Sequence, residues 1–120
     1  MSLNLASIIQ FSARYFPDQV ALIHDERKLS YKELARRVEA VAAHLRGLGV
    51  VQGDKVGLLF PNSMSFTIGY FGILHAGASV VPISFLSVSR EVAYYLKDAG
   101  AKVLIASSAH EASAREGFQE

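Results

Sequence analysis

Two stretches of this chain carry apolar residues at helical spacing and three carry them in unbroken runs, and that difference predicts most of the architecture. Leu5, Ile8, Ile9, Phe11 and Tyr15 trace an amphipathic helix of about 11 residues that starts near Asn4. It must end by Phe16, because Pro17 disfavours helical geometry in the residue before it. Residues 20–24 and 28–30 read as two strands joined by the polar turn Asp25, Glu26 and Arg27. That turn holds no glycine, which leaves its type open.

The clearest helix follows, with Tyr31, Leu34, Val38, Val41, Leu45 and Leu48 recurring three or four residues apart as a stripe facing a core. Ser30 as N-cap with Glu33 three positions on makes a capping box, and Leu29 against Leu34 makes a hydrophobic staple. The segment from Leu29 to Leu34 therefore has a full structural explanation and needs no catalytic one.

After Gly49 the pattern becomes two successive β-α-β units. A strand over 55–60 precedes a helix over 63–75, a strand over 79–83 precedes a helix over 90–99, and a strand over 102–106 closes the series. Continuous apolar strands alternating with helices indicate an α/β fold, with a mostly parallel sheet, helices on both faces and right-handed crossovers, plus the N-terminal hairpin. Asn62 is a good N-cap, and Gly77 and Gly100 sit where helices end in left-handed residues. Gly69 and Gly72 are unfavourable inside a helix, so they imply close approach to the sheet or to a neighbouring helix. Residues 107–120 hold a capping box at Ser108 and Glu111 but little large apolar surface besides Phe118, as expected of a weak helix or frayed tail.

At 120 residues the chain suffices for one domain that buries roughly two-thirds of its extended surface. Hydrophobic residues make up 51% and charged ones 19%, an apolar excess over the usual balance that suggests a missing partner. The net charge of +1 and a basic pair such as Arg36 and Arg37 give no electrostatic footprint for nucleic acid. The absence of cysteine excludes disulfides and thiolate chemistry and fits a cytoplasmic setting. No signal-peptide pattern opens the chain, and the weakly polar segment 63–81 is broken at Gly77 before it could span a membrane.

Candidate chemistry is sparse. Gly47, Gly49 and Gly53 superficially resemble a dinucleotide fingerprint, but they follow a helix and open a strand, the reverse of a phosphate-binding turn. No phosphate loop ending in Lys-Ser or Lys-Thr occurs. His24, His44, His75 and His110 lack metal-ligand spacing; His44 suits a solvated helix face and His75 a helix boundary. Ser84, Ser87 and Ser89 form a strand-to-helix loop whose plainest role is to cap the helix at Arg90, with Glu91 favouring its dipole. The eleven carboxylates are scattered, so no acid–base pair emerges. Catalytic, cofactor-binding and metal-ligating residues are accordingly all expected to be none.

Five ordered signatures nevertheless carry a resemblance: PDQVAL from Pro17, LSYKEL from Leu29, GVVQGDKV from Gly49, FPNS from Phe60 and LHAGASVVPIS from Leu74. Together they resemble the opening of the acyl-adenylate-forming enzymes, the superfamily of acyl-CoA synthetases, luciferases and peptide-synthetase adenylation domains. The second and fifth correspond to that family's first two core motifs. The run from Arg90 to Leu96 and the one from Asp98 to Ile105 look most like the fatty-acyl-CoA ligase branch, although Ser84 and Phe85 stand where that branch usually has a proline.

The resemblance implies that residues 1–120 are the N-terminal fragment of the large domain of an adenylate-forming ligase, an incomplete part of that fold. The parent would join a fatty acid to ATP with magnesium, release pyrophosphate and pass the acyl group to CoA. This fragment would bind none of these groups and be inactive alone, because the family's catalytic motifs fall beyond the position matching Glu120. Its expected partners are the remainder of the parent chain and, through exposed apolar surface, itself. The helix from Phe66 to Leu74 serves core packing, with one wall of an acyl pocket as the sharper alternative. Two alternatives for the whole stay open: a fragment of an aryl-acid or amino-acid adenylating domain, and a stand-alone interaction module from a truncated frame, motivated by apolar excess and an incomplete sheet edge.

Overall fold

The computed structural model describes residues 5–60, 64–83 and 89–106. Outside the described residues lie the cap at Asn62, the loop serines Ser84 and Ser87, and the C-terminal segment with Ser108, His110, Glu111 and Phe118. The elements run α1 (Leu5–Tyr15), β1 (Val20–His24), β2 (Arg27–Ser30), α2 (Tyr31–Gly47), β3 (Lys55–Leu59), α3 (Met64–His75), β4 (Ser79–Pro82), α4 (Ser89–Ala99) and β5 (Val103–Ala106). β1 and β2 form an antiparallel hairpin, and the second sheet is parallel with strand order β4-β3-β5.

Alternation along these strands builds three layers. Val56, Leu58, Val80, Val103 and Ile105 meet Ala42, Leu45 and Ile73 of α2 and α3 in one cluster. Leu59, Val81, Ile83 and Leu104 meet Val92 and Leu96 of α4 in another. Because successive strand side chains point to opposite faces, α2 and α3 cover one face and α4 the other, as expected. A third cluster, Ile9, Leu34, Ala35 and Val38 with Leu22, Ile68 and Phe71, fastens α1 and the hairpin to the outer side of α2 and α3.

The capping box at α2 forms as the sequence predicts: the Ser30 hydroxyl accepts from the Glu33 N–H at 3.2 Å, and the Glu33 side chain reaches back to Ser30. Both staple residues, Leu29 and Leu34, are buried. α3 and α4 end at Gly77 and Gly100 with φ of 88° and 70°. Ala78 then donates to the Ile73 carbonyl at 3.2 Å and Ala101 to that of Leu96 at 2.9 Å, the bonding of a Schellman close.

Three expectations are corrected. The hairpin turn is two residues, not three: Arg27 already pairs with His24, and Asp25 takes φ of 56°, which a short polar side chain tolerates. The face of α1 that docks is the line of Ile9 and Ala13, whereas Ile8, Phe11 and Tyr15 are exposed. The Phe11 and Tyr15 rings meet each other instead, 4.8 Å apart, with the Arg14 guanidinium 5.8 Å from the Tyr15 ring centre. Leu48 leaves the buried stripe of α2 because the chain folds back there, with the Val50 N–H on the Leu45 carbonyl; Val50 is buried in its place.

The two helix glycines act as expected, one toward the sheet and one toward a helix. A Cβ on Gly69 would lie 2.8 Å from Leu58 Cδ1 of β3, and one on Gly72 would lie 2.6 Å from Val41 Cβ of α2. Alanine gains about 1 kcal/mol of helix propensity over glycine at either site. Overpacking costs about 1–3 kcal/mol where the neighbour cannot move, as at a Cβ tied to the α2 backbone. Gly72→Ala should therefore lower the urea midpoint clearly, and Gly69→Ala, which meets the terminal methyl of Leu58, should lower it less; equal midpoints for the two variants would refute this packing.

Candidate functional site

The strand order reverses direction at β3, since α3 carries the chain to β4 on one side and α4 carries it back over the other face to β5. In open α/β sheets ligands bind outside the carboxyl ends of the strands at such a reversal, so that end of β3 is the candidate site. Among the described residues near that end, aromatic side chains stand out. Phe60, Phe66 and Tyr70 are partly buried against the main core, with Phe66 and Tyr70 centroids 6.2 Å apart and Tyr70 meeting Phe71 edge-on at 5.5 Å. α3 sends Phe66 and Tyr70 to one cluster and Ile68 and Phe71 to another, so its apolar character goes into packing between two layers.

No cluster of three potential metal ligands occurs among the described residues. The histidines stay apart: His24 lies at the exposed hairpin tip with Nε2 3.6 Å from Asp25, a pair worth little in water, and His44 is on the exposed side of α2. His75 closes α3, where its carbonyl accepts from Arg46 Nη2 at 3.1 Å. Gly49 and Gly53 take positive φ on the way from α2 into β3, which keeps them away from any helix N-terminus. Among the described residues no helix is long and apolar enough to cross a membrane.

Among the described residues a polar cluster lies at the opposite end of the sheet, and sequence reading missed it. Asp54 precedes β3 and Lys102 precedes β5, and the pairing of β3 with β5 brings them together from 48 positions apart. Asp54 Oδ2 accepts from the Val51 N–H at 2.8 Å and from Lys102 Nζ at 3.3 Å, while Lys102 Nζ also donates to the Gly49 carbonyl at 2.8 Å. The Val51 N–H, and after it the Lys102 ammonium, hold the Asp54 carboxyl below its ordinary value despite partial desolvation. This latch ties the loop between α2 and β3 to β5; it is remote from the end where a ligand would sit. No local pattern signals it, because Asp54 and Lys102 meet only once β3 and β5 pair.

A sequence model of the AMP-binding enzyme family matches residues 9–120. The chain belongs to that family. Among curated AMP-binding relatives, the long-chain-fatty-acid–CoA ligase of Salmonella typhimurium is 35% identical over 103 residues, covering 85% of this chain and 18% of its own length. Of solved structures, the anthranilate CoA ligase AuaEII in complex with anthranoyl-AMP superposes with a TM-score of 0.89 at 28% identity, over 98% of this chain and 23% of that one. A fused adenylation–PCP di-domain from Klebsiella oxytoca gives a TM-score of 0.79 at 35% identity, over 85% and 19%. The chain thus spans between 18% and 23% of the length of these three proteins.

Because the folded-state pKa of Asp54 is depressed, its contribution to stability is complete above the ordinary carboxylate value of 3.8 and is lost as pH falls through the folded value. Asp54→Asn should accordingly lower the urea midpoint at neutral pH, and the gap to the unmodified chain should narrow progressively as pH falls below 3.8. A gap that stays constant over that range would show that the latch does not carry the charge assigned to it.

Proposed function

We propose that this chain is the N-terminal scaffold of an ATP-dependent acid–CoA ligase whose parent activates a fatty acid as acyl-AMP, releases pyrophosphate and transfers the acyl group to the thiol of CoA. The observation that carries the proposal is the family match from residue 9 to residue 120, on a chain that corresponds to 18% of the fatty-acid ligase it resembles. ATP, CoA and magnesium belong to the parent on this reading. Among the described residues no three metal-ligating side chains converge, and the glycines at 49 and 53 open a strand rather than a helix. The work of this chain is to hold a three-layer frame, with the carboxyl ends of its strands turned towards whatever the parent places there. A cytoplasmic setting, suggested by the lack of cysteine, goes with the same reading.

Activation of an aryl or amino acid is the second reading, favoured by the likeness to an anthranilate CoA ligase and to an adenylation–PCP protein. ATP–pyrophosphate exchange separates the possibilities. The purified parent should exchange label in the presence of fatty acids, and residues 1–120 alone should exchange none with any acid. Exchange driven only by aryl or amino acids would move the parent to the second reading, and exchange by the isolated chain would overturn the scaffold role.

A further inference from the structure

We infer that the outward face of the layer made by α1 and the β1–β2 hairpin is where two copies of this chain associate about a two-fold axis. This contact does not depend on which acid the parent activates, and its readouts are separate from ligase activity.

Helical geometry puts about 100° between successive residues, so on α1 Ala13 falls about 40° from Ile9, whereas Phe11, Tyr15 and Ile8 fall about 200° to 260° away. Ile9 and Ala13 dock against Leu34, Ala35 and Val38 of α2 with Ile68 and Phe71 of α3, and the stripe on the opposite side is exposed. The hairpin repeats this arrangement. A bulge between Val20 and Leu22 brings both Ala21 and Leu22 into the same cluster, while Val20 and Ile23 stay exposed. α1 and β1 thus share an inner side against α2 and α3 and an outer side that is also apolar. A helix apolar on two opposite sides belongs between two layers, and here only one is supplied.

Six of the nine large apolar side chains that the described residues leave exposed fall in this layer or the turn within it: Ile8, Phe11, Tyr15, Phe16, Val20 and Ile23, each 46% to 67% accessible. With on the order of 100 Å² uncovered on each, one layer offers about 500 Å² and two layers about 1,000 Å², the low end of specific interfaces. The charges around them point to the partner. Arg14, Arg27 and Lys28 stand exposed in the same layer as Asp18, Asp25 and Glu26, three of each sign. A surface of balanced sign complements itself when a two-fold axis turns it onto its copy, whereas an anionic lipid surface is met by an excess of Lys and Arg. The spacing along α1 suits the same axis. Ile8 and Tyr15 lie three and four residues to either side of Phe11, so an antiparallel pair sets Ile8 of one copy against Tyr15 of the other, with both Phe11 rings near the centre.

Sedimentation velocity on the full-length parent tests this. The parent should dimerise with a dissociation constant on the order of 10 μM, given so small an interface. Phe11→Glu, which places two carboxylates near the axis, should weaken the dimer ~100-fold, and Ile23→Thr, which keeps strand propensity, ~10-fold. Tyr94→Glu, on α4, should change nothing. Circular dichroism identifies folded variants, and Ile23→Thr carries the test if Phe11→Glu does not fold. A parent that stays monomeric well above that concentration would overturn the inference, as would a dimer that neither layer variant weakens. A monomer whose thermal midpoint falls in both layer variants would assign the face to the rest of the parent polypeptide and also overturn it. So would a monomer that floats with phosphatidylcholine or phosphatidylglycerol vesicles and ceases to float with Phe11→Glu, because the partner would then be a lipid surface.

Discussion

The close contact of α3 with both of its neighbours sets the dimensions of this fold. Gly72 lets α3 lie against Val41 of α2, and Gly69 lets it lie against Leu58 of β3. With α3 held between helix and sheet, Ile73 reaches the main core and Ile68 and Phe71 reach the layer of α1 and the hairpin. A wider spacing would separate those two clusters and leave the hairpin without a base. Across the sheet the same device recurs once. Gly57 of β3 has no side chain because Leu96 of α4 and Leu104 of β5 already occupy that space, at 2.9 and 2.8 Å from where a Cβ would stand. Backbone proximity at a few glycines thus fixes a sandwich whose remaining positions need only be apolar and of suitable size.

The two ends of the parallel sheet are built differently, and that difference bears on function. At the amino ends, Asp54, Lys102 and the Gly49 carbonyl bind loop to strand, and Arg46 ties the end of α2 to the end of α3. At the carboxyl ends Phe60, Phe66 and Tyr70 pack against the main core. Polar contacts at one end of the sheet and aromatic packing at the other are compatible with the scaffold role proposed for the chain. The exposed Ile8, Phe11, Tyr15 and Leu48 show where the apolar excess of the composition resides.

Much of this was legible in the sequence, for local reasons. The capping box at Ser30 and Glu33 is a four-residue code, the stripe through Leu34, Val38 and Leu45 is a periodicity, and Gly77 and Gly100 mark helix ends through backbone geometry that needs no distant partner. What was not legible depends on partners far away in the chain. The docking face of α1 runs through Ile9 and Ala13, and a small alanine is a weaker signal than Phe11 or Tyr15 although it allows closer approach. The Asp54–Lys102 latch is visible only once β3 and β5 are known to be neighbours. Arg27 enters the hairpin because Asp25 accepts a left-handed backbone, a possibility that a search for glycine overlooks. Among the described residues the motifs cap α2, end α3 or pack the core.

The central claim is that this chain is an indispensable frame for chemistry performed by the rest of a larger ligase. Co-expression of residues 1–120 and the remainder of the parent as two separate polypeptides tests it most directly, with acyl-adenylate formation as the readout. The account predicts activity when both are present and none from either alone. Acyl-adenylate formation by the remainder without residues 1–120 would contradict it.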